Sequence, residues 1–530
     1  MKAGSKNAHR QEHARIGGKP RLVLCAPNTP KRPDNLNRLY TLALLYLKNA
    51  ARQAGWECDL VDAYFSGLPR QETAARILAR GAPRLVGFCL HSSSMLEEAL
   101  GIIQILERQL GRTVPVVVGG HYATHQARQL LEAHDRIHYV IEGEGEGALR
   151  ALLTALGQGR IRDAIPGLRW RDENGEIRGD LPRSLATDLD ELGNIDFDWI
   201  EEDIGPADWS MVASRGCCGR CSFCAVGPLW GASGRWRGHS PEWFVARVEE
   251  LVRSHGATRI IVVDDNFLGG PAPDQRAAAI AALMRQAKIH VPFSVMVRAD
   301  TVCAYPRAFG ELKEVGLHHV LLGLESGDDA ILAKLTKGTT RQQGEEATAI
   351  LDGMDITVTA GTIIFHPWMT RESIRADLEF LNRLMERNPR CYFLGLNELD
   401  ILCGTPIASE YAGDTWRREW KAADPAVQEI YDRWRLIQAT VLFPAMRLAP
   451  PEAGLERRRA YAFWQLESLG LALERGATMA REDLFSATQA SMSKFLLAQA
   501  GRETLERFLE IGTSSRETPD PIDAHERCFL

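Results

Sequence analysis

Two successive runs of alternating strands and helices constrain this chain more than any other feature. RLVLCAP (residues 21–27), ECDLVDAY (57–64), RLVGFCL (84–90), VPVVVGGH (114–121) and HYVIEG (138–143) are short and apolar throughout. Helical periods separate them at 39–55, 70–80 and 95–110, and a last one runs to about 157. Strands that are apolar on both sides and joined through helices indicate a parallel sheet covered on both faces. We therefore expect an α/β unit over 20–157, a Rossmann-like doubly wound parallel sheet, behind a tail at 1–19 expected to be disordered. The stretch 158–207 has no strong period; it reads as a linker with a small hairpin turning at Glu173, Asn174 and Gly175.

A second series begins at 208. MVASRG, RIIVVDDNF, PFSVMVRAD, HHVLLGLES, TVTAGTIIFHP and CYFLGLNELDIL alternate with helical stretches up to about 410. Six repeats are too few for a closed barrel of eight, so a partial (β/α)6 barrel is expected, with its site at the C-terminal ends of the strands. Only helical patterns follow, giving a C-terminal α-helical domain over 411–530.

Composition narrows the partners. Hydrophobic residues at 45% and charged residues at 25% suit an ordinary globular protein. The 63 Lys+Arg against 69 Asp+Glu give a net charge of -6 without a long basic block, so nucleic acid is not an expected partner. No run of 18 apolar residues occurs and the first twenty residues lack the apolar core of a signal peptide, so a cytoplasmic location without a membrane is expected. Eleven cysteines are too sparse for a disulfide scaffold, yet Cys217, Cys218, Cys221 and Cys224 crowd together.

Within SRGCCGRCSFCAV, Cys217, Cys221 and Cys224 are spaced C-x3-C-x2-C directly after the first barrel strand. Three thiolates on one loop can each hold one iron of a [4Fe–4S] cube and leave the fourth iron open. A structural zinc site and unrelated surface thiols are the alternatives. Zinc asks for four ligands, commonly in two pairs, whereas Cys303, Cys391, Cys403 and Cys528 are scattered. Cys218 reads as a bystander.

This spacing, with Phe223 before Cys224, resembles the radical S-adenosylmethionine (radical SAM) superfamily over about 206–410. RIIVVDDNF, VRAD, GLES, FHPWMTRES and ILCGTPI resemble its strand-end motifs, in the right order. The resemblance implies a cluster held by catalytic, metal-binding Cys217, Cys221 and Cys224. It further implies S-adenosylmethionine chelated at the open iron and cleaved to a 5′-deoxyadenosyl radical, with flavodoxin or ferredoxin as electron donor. By position Arg298, Glu325 and Ser326 would meet the polar groups of S-adenosylmethionine, a structural strand-end role being the alternative for each. One of Asp264 and Asp265 would face the cavity while the other caps the next segment. His366 and Trp368 would face substrate or simply pack.

No G-x-G-x-x-G follows the first strand, so a dinucleotide site is a weak reading. Instead, Gly119 and Gly120 end one strand and Gly143, Gly145 and Gly147 follow another, where a flat ligand can approach the backbone. A mere tight turn is the alternative. With GFCLHSSS before these glycines, residues 20–157 resemble the cobalamin-binding (B12-binding) domain of cobalamin-dependent radical SAM enzymes. That implies a corrin at the C-terminal sheet edge, lined by Ser92, Ser93, Gly119, Gly120, Tyr122, Gly143 and Glu144. No D-x-H-x-x-G occurs, so the histidine that replaces the lower axial base in many cobalamin enzymes is missing. Many radical SAM members lack it too, and a domain that has lost its cofactor is the alternative.

The resemblance as a whole implies a methyltransferase on an unactivated carbon of a small specialised metabolite, with the methyl group passing through methylcobalamin. Cyclisation or rearrangement is one alternative. Transfer of the 3-amino-3-carboxypropyl arm of S-adenosylmethionine is another, hinted at only by Cys528, and a corrinoid- or metal-binding sensor with an inactive barrel is a third. The helical domain is expected to close the cavity, and Trp416, Trp420, Trp434 and Trp464 to form core or an aromatic pocket.

Overall fold

A computed structural model describes residues 19–475 apart from 30–39, 159–163, 173, 180, 201–207, 231–235, 413–416 and 438–453, together with 488 and 490. The expectations for residues 1–18, Trp416 and Cys528 lie outside the described residues.

The first series forms as β1 (Arg21–Ala26), α1 (Leu42–Gln53), β2 (Glu57–Asp62), α2 (Arg70–Leu78), β3 (Leu85–Cys89), α3 (Ser93–Leu110), β4 (Val116–Gly119), α4 (Ala127–Ala133), β5 (Tyr139–Ile141) and α5 (Gly145–Gly157). Successive residues of one strand point to opposite faces. In β1, Leu22 and Leu24 enter one apolar cluster while Val23 and Cys25 enter another. Both faces are buried, which is why the strands read as apolar throughout. Each such Leu or Val contributes about 1.5–3 kcal/mol.

The parallel strands run in the order β2-β1-β3-β4-β5, so chain direction across the sheet reverses between β1 and β3. A crevice for a ligand opens at the carboxyl ends of those two strands. The hairpin expected near Asn174 exists as β6 (Leu168–Arg171) and β7 (Ile177–Arg178), with Gly175 at φ 83°. β6 pairs antiparallel with β5, so the sheet has seven strands and runs past the expected boundary at 157. Joining a sheet edge is decided by backbone pairing, which leaves little mark on side-chain pattern.

The second series forms as β8 (Asp208–Met211), α6 (Pro241–Ser254), β9 (Arg259–Val262), α7 (Pro273–Gln286), β10 (Phe293–Arg298), α8 (Pro306–Lys313), β11 (Leu317–Glu325), α9 (Arg341–Gly353), β12 (Thr357–Thr362), α10 (Arg371–Arg387) and β13 (Cys391–Tyr392). Its six parallel strands pair in chain order from β8 to β13, giving the open partial barrel. Open edges must be covered. At β8, Tyr40 Oη donates to the Ser210 carbonyl and accepts from Ser210 N. At β13 the cover is helical: α11 (Pro425–Ile437) packs on α12 (Leu455–Arg475). Arg458 of α12 donates to Tyr392 Oη at 2.8 Å, and Arg459 reaches the Asn388 carbonyl at 2.8 Å. Among the described residues, no helix is long and apolar enough to cross a membrane.

Candidate active site

Beyond β8, a short strand Ser214–Arg215 pairs with Arg237–Gly238 and leads into the cysteine loop. Two carboxylates at the end of β9 hold it there. Asp264 accepts from Ala213 N at 2.7 Å and Ser214 Oγ at 2.6 Å; Asp265 accepts from Gly216 N at 2.9 Å and Trp230 Nε1 at 3.0 Å. Asp264 is fully buried, which pushes its carboxyl up to about 7, while Asp265 lines the main cavity.

Cys217, Cys221 and Cys224 are half-buried on this loop, and Cys218 is exposed. Donors surround the sulfurs: Gly219 N lies 3.3 Å from Cys217 Sγ, Asn266 Nδ2 3.7 Å from the same atom, and Arg298 Nη1 3.7 Å from Cys221 Sγ. Asn266 Nδ2 also lies 3.5 Å from Cys218 Sγ. A Cβ on residue 219 would stand 2.6 Å from Arg298 Nη1, so glycine lets the guanidinium sit over the loop. Arg298 is fixed by Asp300 and by the Lys337 carbonyl, both at 2.8 Å. Burial pushes Cys224 up to about 12 and raises Cys221, where the Lys337 and Arg298 charges only partly offset it. Free, these thiols are protonated, so binding a metal through them releases protons. Among the described residues, no three His, Cys, Asp or Glu side chains converge as ligands of one metal ion.

Glu325 pairs with buried Lys337 at 2.7 Å. It is a non-glycine residue at φ 68°, beside an irregularity in the β11–β12 register, a conformation that costs about 1–3 kcal/mol. Ser326 is 2% exposed and donates to Asp377 Oδ1 at 2.7 Å, so its hydroxyl serves the strand end. His366 is fully buried against Trp368, ring centroids 5.7 Å apart. Trp434 and Trp464 are buried core, and Trp420 donates to the Leu399 carbonyl at 2.8 Å.

The main cavity, about 1160 Å³ of empty space partly open to solvent, lies between the carboxyl edge of the seven-stranded sheet and the first two barrel strands. Gly119, Gly120, Gly143 and Glu144 line it from the sheet; Ser214, Arg215, Trp230 and Asp265 line it from the barrel. Gly120, at φ 98°, would bring a Cβ within 2.6 Å of the Leu90 carbonyl oxygen, so the turn itself requires glycine there. Ser92, Ser93 and Tyr122 lie outside this wall. The Ser92 hydroxyl is engaged instead as the N-cap of α3, accepting from Met95 N at 3.4 Å. Among the described residues, none beyond Asp265 lines this space.

The joint between the two halves is made by side chains far apart in the chain. Arg215 pairs with Glu144 at 3.0 Å and Glu146 at 2.6 Å, and Arg237 pairs with Glu144 at 2.8 Å. Arg215 also lies over the Tyr46 ring at 4.8 Å. Burial pushes the Glu146 carboxyl up, but the Arg215 charge and hydrogen bond, a backbone hydrogen bond and the Arg237 charge together hold the group below its ordinary value. Glu144 also accepts from Ala186 N at 2.7 Å. It is therefore a clamp between sheet and barrel, holding Arg215 two residues before Cys217.

Comparison with known proteins agrees with this division. The family model of the B12 binding domain matches residues 36–153, and that of the radical SAM superfamily matches residues 211–381. An uncharacterised methyltransferase of Pyrococcus horikoshii is 29% identical over 411 residues, covering 77% of this chain and 83% of that protein. The anaerobic magnesium-protoporphyrin IX monomethyl ester cyclase of Synechocystis is 25% identical over 375 residues, covering 69% of this chain and 72% of that protein. The fold is similar to that of OxsB, a cobalamin-dependent S-adenosylmethionine radical enzyme solved with aqua-cobalamin and S-adenosylmethionine bound. The TM-score is 0.70 at 17% identity, covering 93% of this chain and 78% of that one. A corrin-binding sheet fused to a partial barrel with a three-cysteine loop defines a class of radical enzymes. This chain belongs to the cobalamin-dependent radical SAM enzymes, whose cofactors are a [4Fe–4S] cluster, S-adenosylmethionine and cobalamin.

Proposed function

We propose that this protein is a C-methyltransferase acting on an unactivated carbon of a small specialised metabolite. The observation that carries the reading is a cavity between the carboxyl edge of the sheet and the ends of the first two barrel strands, with the cysteine loop running on from Arg215 in its wall. When bound, the cluster with S-adenosylmethionine supplies a hydrogen-abstracting radical, and the corrin supplies a transferable methyl group.

The residues fit these groups. Cys217, Cys221 and Cys224 would hold the cluster: three thiols on one loop, spread too far for a single ion, suit a cube that takes one thiol at each of three corners. The amide donors of Gly219 and Asn266 and the guanidinium of Arg298 would stabilise sulfur charge. Arg298 and Glu325 remain the proposed neighbours of S-adenosylmethionine, whereas Ser326 would act through the strand end. At the sheet edge, Gly119, Gly120 and Gly143 present backbone without a side chain to obstruct a flat ring. The Glu144, Arg215 and Arg237 clamp orients the two walls.

An external electron donor such as flavodoxin or ferredoxin belongs to the proposal. So does a reducing, cytoplasmic setting, since free thiols must stay reduced to take up iron. The cyclase relative supports a second outcome, ring closure without net methylation. The test is anaerobic turnover of the reconstituted chain with methyl-deuterated S-adenosylmethionine and a metabolite extract from the source cells. Methylation puts the label into a product alongside 5′-deoxyadenosine; a new product without label would support ring closure instead.

A further inference from the structure

Building on the reading that the cavity takes a corrin, we propose that His91 is a nitrogen donor to the cobalt from the sheet side. The strand order reverses between β1 and β3, and in sheets of this order a flat cofactor sits over the carboxyl ends of those strands. His91 follows the end of β3 by two residues and lines the cavity there. A second imidazole, His121, opens the short helix after β4 and lines the same wall. The two rings meet edge to face, with centroids 5.6 Å apart.

Orientation comes from Cys89, the last residue of β3, whose Sγ lies 3.4 Å from His91 Nε2. The proposed donor role needs Nε2–H to face that sulfur, which leaves the lone pair on Nδ1. The backbone around the ring is pinned as well: His91 N donates to Met95 Sδ at 3.4 Å, and the Leu90 carbonyl accepts from Tyr122 N at 3.1 Å. Cys89 is thus a positioning residue and His91 the donor. The histidine absent as a D-x-H-x-x-G motif is supplied by the β3 loop at the same switch point.

The test uses cobinamide, a corrin without its own nucleotide base, loaded as Co(II) onto the full chain and studied by electron paramagnetic resonance. Coordination by one imidazole splits each cobalt hyperfine line into three. Protein made with nitrogen-15 histidine gives two lines instead, which assigns the splitting to the protein without any substitution. His91→Leu is expected to abolish the splitting and His121→Leu to keep it. Unsplit lines from wild-type protein with corrin bound would overturn the assignment and leave the corrin reading standing. Failure of the wild-type chain to take up any corrin would overturn both. Splitting that survives His91→Leu but is lost in His121→Leu would move the donor to His121 and so overturn the proposal.

Discussion

The cysteine loop and the sheet edge lie on either side of the Arg215 joint, yet the chain encodes them in opposite ways. On the barrel side the chemistry is local: three thiols within eight residues, 217–224, with Gly219 among them. On the sheet side it is distributed over the loops after β3, β4 and β5, and what matters there is backbone shape, as at Gly120 and Gly143 with their positive φ angles. A local site is specified by side-chain identity. A distributed one is specified by where the strands stop.

The largest effect expected from breaking this contrast is Cys221→Ala. Iron should fall to background and S-adenosylmethionine cleavage with it, while corrin uptake stays at the wild-type level; a parallel loss of corrin would mean the two walls are not separable. Arg215→Ala attacks the joint instead. It leaves Glu146 buried without its cation and Glu144 with Arg237 alone, and removing one partner of a buried ion pair costs about 3–5 kcal/mol. Urea unfolding should register that loss, and uptake of both cofactors should weaken together.

Gly120→Ala forces a side chain into the left-handed region against the Leu90 carbonyl, at a cost of about 1–3 kcal/mol. Corrin binding should fall with iron content unchanged, the mirror image of the cysteine variant. A smaller change follows Asn266→Ala. Losing an amide donor to Cys217 should lower the cluster potential in a redox titration, without loss of iron.

The smallest effect concerns Asp377, whose carboxyl burial raises to about 7 from 3.8. The native state then holds the proton more tightly than the unfolded chain, so this group's stabilisation is present at low pH and is lost as pH rises from about 4 to about 7. Asp377→Asn should flatten that part of the stability profile, and an unchanged slope in thermal melts across this range would exclude the carboxyl as its source.

How legible these regions were follows from the same contrast. Both βα series could be read directly, because burial on two faces forces continuous apolar strands such as VLCA at residues 23–26. The cysteine loop was equally plain from spacing. The interdomain clamp was not, since nothing local to Arg215 announces a partner about 70 residues earlier in the chain. Ser92 and Ser93 were read as cavity wall because hydroxyls after a strand suit a polar ligand, but at this strand end the Ser92 side chain caps the next helix. His91 is equally silent in the sequence: it stands in the loop after β3 and in no D-x-H-x-x-G spacing. The hairpin at 168–178 was seen, but its membership of the sheet was decided by pairing with β5.

The central claim is that a corrin at the sheet edge and a cluster on the adjoining cysteine loop are held side by side in one chain, and the most direct measurement is metal and electron paramagnetic resonance analysis of the anaerobically reconstituted full chain. The account predicts about four irons and about one cobalt per chain, with the signals of the reduced cluster and of Co(II) broadened by mutual magnetic coupling. Four irons without cobalt, or two full complements whose signals simply add, would contradict it.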